Sequence, residues 1–294
     1  MQCKYFGTEG RNVIMIGCID VGGGLRDIYG AGVFDYLLDE GISFDLCIGV
    51  SAGSANCVSF IAGQKGRNKK FYTEYILRKE AMSPLNLIRT RSLLDLTYVY
   101  GELSNENGEY PLDYDALQSN KTEFIVVATE AESGKPVYFN KKDDIHRNDY
   151  RTIMASSCLP IISKPIEINS TLYFDGGLSD PLPIDKALEM GCDKIVVILT
   201  MPIEAQFSTT RNDVAAKIIK NKYPNMVKGL NSQYEKYAQN LVRVLELQEE
   251  GKALIVAPDD VLGMKTLTRD IEKLAALYSK GYEDAKKIKE FVKN

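Results

Sequence analysis

Apolar runs rich in β-branched residues recur along the chain at 12–19 (NVIMIGCI), 44–50 (FDLCIGV), 123–130 (EFIVVATE), 171–175 (TLYFD), 194–200 (KIVVILT) and 253–258 (ALIVAP). Runs this continuous predict strands covered on both faces, the signature of a parallel sheet between helical layers. Between them, apolar positions at helical spacing predict helices over 29–40, 51–63, 69–80, 113–118, 149–157, 184–190, 211–250 with breaks, and 267–293. Strand and helix alternate, which argues for a layered α/β fold with a mainly parallel sheet. The VYFN run at 137–140 follows the turn-rich AESGKP and predicts a hairpin return beside 123–130, which would make the sheet mixed. No Pro/Gly/Ser-rich linker interrupts the pattern, so residues 1–294 read as one domain. Its core spans about 12–200, with an α/β flank at about 201–294.

Composition narrows the function classes. With 294 residues, 45% of them hydrophobic, the chain can bury a sizeable core. Its 36 basic against 40 acidic side chains give a net charge of −4, with no electropositive field to hold nucleic acid. The N-terminal MQCKYFGTEGRN has no apolar leader region, and the first greasy stretch, Val13 to Ile19, is too short to span a bilayer. The expected location is therefore the cytoplasm. Six cysteines (Cys3, Cys18, Cys47, Cys57, Cys158, Cys192) are scattered singly, several within apolar runs. They read as reduced core side chains, with no metal site and no cofactor expected. Nothing in the pattern specifies an oligomeric state.

Gly49-Val50-Ser51-Ala52-Gly53 ends one predicted strand and opens a predicted helix. It fits the G-x-S-x-G elbow, in which a sharp strand-to-helix turn lifts the serine hydroxyl clear of the backbone. A serine here also serves as an ordinary helix N-cap. Directly after the first strand come Gly22-Gly23-Gly24-Leu25-Arg26 and a further helix. Successive glycines can turn their N–H groups into one concave space beside the positive end of that helix. A dinucleotide loop would need glycine where Asp27 stands, and a P-loop would need the absent Gly-Lys-Ser/Thr. The oxyanion-hole reading fits better: the N–H groups of Gly23 and Gly24, with that of Ala52, would meet the negative oxygen of a tetrahedral acyl intermediate. A flexible turn that holds a small anion without catalysis is the competing reading.

A serine nucleophile needs a base. The only histidine, His146, lies in the charged NKKDDIHRND stretch, which reads as a solvated loop. The other candidate is Asp175, at the end of an apolar strand and followed by Gly176 and Gly177. Strand ends on a parallel sheet converge on one edge, where the elbow and the glycine loop would also lie. Partial burial there would raise the carboxylate's basicity toward neutral pH. Asp-Gly is also one of the commonest turn pairs, so a purely structural turn stays open.

Taken together, Gly22 to Arg26, Gly49 to Gly53 and Asp175 to Gly177, in that order and with ASSCLPIIS (155–163) ahead of the aspartate, resemble the patatin-like phospholipase family of serine acyl hydrolases. LYSKGYEDAKK (277–287) is similar to a bacterial cytosolic branch of that family. The resemblance implies a three-layer α/β/α sandwich that hydrolyses lipid esters. By the same resemblance Ser51 is the nucleophile, Asp175 its base, Gly22, Gly23 and Gly24 the oxyanion loop and Arg26 the family's loop arginine, with no metal required. Two positions depart from the family pattern. Asp27 stands where glycine usually follows the arginine, and is expected to pair with a nearby cation. Asp180 precedes Pro181 where asparagine is usual. A lipid or acyl-ester substrate and transient contact with a membrane surface follow as expectations. For the latter, Tyr98, Val99 and Tyr100 in LLDLTYVYGEL could form an apolar mouth.

Overall fold

Residues 14–205 and 210–293 are described by a computed structural model, so Cys3, the N-terminal stretch and the first two residues of the 12–19 run lie outside it. Eight strands form one sheet: β1 Ile16–Asp20, β2 Leu46–Val50, β3 Glu123–Glu130, β4 Pro136–Asn140, β5 Ile166–Ile168, β6 Thr171–Asp175, β7 Lys194–Ile198 and β8 Ala253–Val256. The order is β5-β6-β3-β2-β1-β7-β8, with β4 also paired to β3. The five strands β3, β2, β1, β7 and β8 run parallel, while β4, β5 and β6 pair antiparallel.

Successive residues on the central strands face opposite sides of the sheet, as the period of two demands. Cys18, Cys47, Phe124, Val126, Val196 and Ile198 share one core with α1 (Ile28–Asp39), α2 (Ala52–Ile61) and the helix Ile271–Asp284. Ile19, Ile48, Ile125, Val127 and Val197 pack on the other side against Ile184 and Ala187 of the helix Ile184–Glu189 and against Val244 and Leu247 of the helix Pro224–Glu249. The result is an α/β/α sandwich with a mixed, mainly parallel sheet.

One detail of register positions the site. Residues 125–127 of β3 pair with both β2 and β4, so those two strands occupy opposite edges of β3. Residues 128–129 pair with both β4 and β6, which puts β6 on the β2 edge. Thus β2 and β6 lie end to end along one edge, and their C-termini meet: Val50 opposes Val127, and Asp175 opposes Ala128. This corrects the expected convergence of parallel strand ends. Asp175 reaches the elbow because β3 runs three residues past the end of β2, and an antiparallel strand comes back along the overhang.

Candidate active site

Ser51 links β2 to α2 with φ 55° and ψ −130°, a left-handed conformation that costs a non-glycine residue energy and is characteristic of functional turns. The turn is tight enough that a Cβ at Gly49 would lie 2.4 Å from the Ser54 Cα, and one at Gly53 2.4 Å from the Asp20 carbonyl oxygen. Three hydrogen bonds that involve side chains fix the serine. Its N–H donates to Ser156 Oγ at 2.9 Å, its carbonyl accepts from Ser54 Oγ at 2.7 Å, and its hydroxyl donates to Asp175 Oδ2 at 2.6 Å.

Asp175 is buried, with 3% of its surface exposed. Its Oδ1 accepts the Gly177 N–H at 2.8 Å, its N–H donates to the Cys158 carbonyl at 2.9 Å, and its own carbonyl accepts from Thr129 Oγ1 at 2.7 Å. Loss of hydration raises its pKa to about 7, against the opposing pull of the Ser51 and Gly177 hydrogen bonds. A carboxylate poised near neutrality and bonded to a serine hydroxyl can serve chemically as a general base.

Gly22, Gly23 and Gly24 all have positive φ and line, together with Arg26, Ser51, Asp175 and Gly177, a cleft of about 480 Å³. The Gly22 N–H is already spent on Asp20 Oδ1 at 3.1 Å, so Gly22 shapes the loop and is not an oxyanion donor. The Gly23 and Gly24 amides have no acceptor among the described residues, as an oxyanion hole requires. Ala52 opens α2, and its N–H belongs to the first turn of that helix, where backbone donors lack intrahelical partners. Arg26 points its guanidinium at Met201 Sδ on the cleft wall.

One sequence expectation, the pairing of Asp27, is corrected. Among the described residues no cation forms an ion pair with Asp27, though the Arg26 charge acts on it; it faces Asp20, with Asn56, around the vacant side-chain position of Gly30. Loss of hydration raises the pKa of both carboxyls, Asp20's to about 6, and the Asp20 charge pushes Asp27's up further. Asp180 accepts from the Tyr138 hydroxyl at 2.7 Å and does not line the cleft. His146 is exposed and lines neither cavity that meets Ser51, so a triad through it has no geometric support.

Residues that sequence reasoning missed are Ser156, Thr129 and Thr200, whose hydroxyl donates to the Gly22 carbonyl, and Gln233, whose amide donates to the Gly177 carbonyl. Ser156 lies within the ASSCLPIIS segment, but its neighbour Ser157 offered the same chemistry, and nothing in the pattern chose between them. Tyr98 to Tyr100 belong to a π-helical turn, Thr97–Glu102; Val99, 4% exposed, and Tyr100 line an inner pocket that Ser51 also lines, in place of the expected apolar mouth. No helix among the described residues is long and apolar enough to cross a membrane.

Comparison with known proteins gives two family matches: residues 21–188 match the patatin-like phospholipase family, and residues 223–294 match a domain of unknown function, DUF6363. The chain is 31% identical over 192 residues to the uncharacterised protein YjjU of Escherichia coli, covering 64% of this chain and 52% of that protein. It is 28% identical over 193 residues to the lysophospholipase NTE1 of Candida albicans, covering 62% of this chain and 13% of that one. The chain thus spans about half the length of the first relative and a small part of the second. The crystal structure of VipD from Legionella pneumophila aligns with a TM-score of 0.47 at 14% identity, covering 93% of this chain and 66% of that one.

Proposed function

The chain belongs to the patatin-like phospholipase family, and from that premise we propose that it is a serine acyl hydrolase acting on lipid esters through a Ser51–Asp175 dyad. The observation that carries the reading is the 2.6 Å hydrogen bond from Ser51 Oγ to a buried carboxylate, made from a strained elbow beside the unspent Gly23 and Gly24 amides. In the first step Asp175 takes the Ser51 proton as Oγ bonds to the ester carbonyl carbon. The carbonyl oxygen gains the negative charge and is met by the Gly23, Gly24 and Ala52 N–H groups. Collapse expels the alcohol, which takes the proton from Asp175 and leaves an acyl-serine. Water, deprotonated by the same carboxylate, then repeats the sequence and releases the fatty acid. No metal or cofactor enters these steps.

Lysophospholipase relatives and the apolar cleft walls support a lipid substrate. The exposed side chains Ile161 (44%) and Val214 (50%), both on the cleft lining, and the exposed Leu85 and Ile88 support transient approach to a lipid surface. The test is turnover of a p-nitrophenyl acyl ester, with fluorophosphonate labelling as a second readout. Ser51→Ala and Asp175→Asn should each lose at least about 10³ in kcat, and labelling should vanish with Ser51→Ala. Full activity in Ser51→Ala overturns the reading, whereas anion binding without labelling favours a non-catalytic binding protein. His146→Ala should remain active; its complete loss with the fold intact would favour a triad.

A further inference from the structure

Two cavities of different character meet at Ser51. The cleft of about 480 Å³ opens to solvent between the glycine loop and the helix Pro224–Glu249. A second pocket, of about 70 Å³, runs inward beneath α2, and Gly24, Ser51 and Leu159 belong to the walls of both. Ala55, Phe71, Ile76, Met82, Val99 and Tyr100 form the body of the inner pocket.

The polar side chains in that wall have their heads turned into the protein. Arg67 donates to Ser59 Oγ, Ser104 Oγ and the Tyr110 carbonyl, and Asn68 donates to the Asn56 carbonyl. Asn56 donates to Asp20 Oδ2 and the Asp27 carbonyl. Arg67 Nε and Asn56 Oδ1 are buried without a partner among the described residues, the Ser157 hydroxyl donates to that of Tyr100, and the rest of the wall is mainly aliphatic and aromatic. A small, mainly apolar space suits a hydrocarbon chain better than a charged head group. The alcohol half must leave and water must enter before the acyl-serine can be hydrolysed, which requires the open side.

Resting on the esterase reading above, we infer that the acyl chain of the substrate enters the inner pocket while its alcohol half occupies the larger cleft, so that the pocket's small volume makes the protein selective for short acyl chains. A water-sized group needs roughly 10–15 Å³ of such space, and a methylene is of similar size, so the pocket of about 70 Å³ holds a chain of about five to seven carbons. The side chains that set the limit are Ala55, on the α2 face next to the nucleophile, and Ile76 and Met82, on the segment that follows the helix Arg67–Thr73.

The experiment is a series of monomeric p-nitrophenyl esters from acetyl to palmitoyl, run on the wild type, Ala55→Leu and Ile76→Ala. In parallel, fatty acids of the same lengths are titrated into the Ser51→Ala protein by calorimetry, which needs no turnover. Wild-type kcat/KM should peak between butanoyl and octanoyl and fall at least tenfold by palmitoyl. Ala55→Leu should lower the octanoyl-to-acetyl ratio about tenfold, and Ile76→Ala should move the peak two or three carbons longer. Fatty-acid affinity should follow the same order. Ser51-dependent hydrolysis that holds or rises toward palmitoyl, or a peak that neither substitution moves, overturns the inference and leaves the esterase reading standing. If no ester is turned over, the esterase reading fails and the titration decides the pocket: a chain-length optimum sustains it, and length-independent binding or none overturns it.

Discussion

A carboxyl group taken out of water without a cation beside it holds its proton more tightly, and Asp175 is in that position: what faces it is the Ser51 hydroxyl and the Gly177 amide. Its pKa near 7 sets the sign of the pH dependence. Only the ionised form can accept the serine proton, so activity should be full above neutrality and lost as pH falls through about 7. The loss should approach tenfold per pH unit on the acid side. A histidine base would give a limb in the same range, so the profile must be measured in His146→Ala as well, where the dyad leaves it unchanged. A limb that disappears with that substitution would refute Asp175 as the titrating base. Ser51, Asp175 and the glycines were legible in the sequence because each stands in a local pattern that a turn demands. Ser156 and Thr129 were not, because their hydroxyls act on main-chain groups more than 40 residues away, and neither leaves a local trace.

At the level of elements, the site depends on how closely α2 approaches the sheet. The elbow lets α2 begin directly over β1, where Gly53 lies against the Asp20 carbonyl. An alanine there would place its Cβ 2.4 Å from that oxygen, and neither backbone can yield without moving Ser51 or the glycine loop. Gly53→Ala should therefore destabilise the fold by about 1–3 kcal/mol or more and lower esterase activity in whatever protein remains folded. Urea denaturation beside an ester assay checks both; an alanine variant with wild-type stability would show that the elbow has slack. The strands buried on both faces were plain from their continuous apolar runs, and the β3–β4 hairpin from its turn. The edge strand β5 was missed: it is three residues long, and only its turn hinted at it. Asn169 and Ser170 both have positive φ, the geometry of a tight hairpin, but Asn-Ser is a weaker signal for it than Asn-Gly. The direction of β6 could not be read from its own residues, since an apolar run looks the same whichever way its neighbour points.

At the scale of the whole molecule, residues 223–294 bracket the part that carries the dyad. The helix Pro224–Glu249 covers one face of the sheet, β8 extends its edge, and the helix Ile271–Asp284 covers the other face, crossing α1 where Gly32 and Gly281 allow the backbones to touch. Tyr278 donates to Asp35 at 2.8 Å, and Tyr29 donates to Asp284 at the same distance. Nearer the chemistry, Gln233, Lys236 and Asn240, on one face of the helix Pro224–Glu249, donate to the carbonyls of Gly177, Ser179 and Leu182. They hold the segment that follows Asp175 against the cleft, which Leu230, Tyr234 and Tyr237 of the same helix also line. On this geometry the C-terminal segment packs on the same sheet as Ser51 and Asp175, and a chain ended after Lys222 should expose both cores and lose cooperative unfolding as well as the proposed activity. Asn240→Leu is the gentler variant: it removes a single 2.7 Å hydrogen bond at the far end of the strap. It should cost about 1 kcal/mol in stability and reduce kcat more than it changes KM, because it loosens the aspartate's mount without touching the substrate. A truncated chain that unfolds cooperatively and still turns over esters would make the C-terminal segment an accessory unit and leave the strap without a catalytic part.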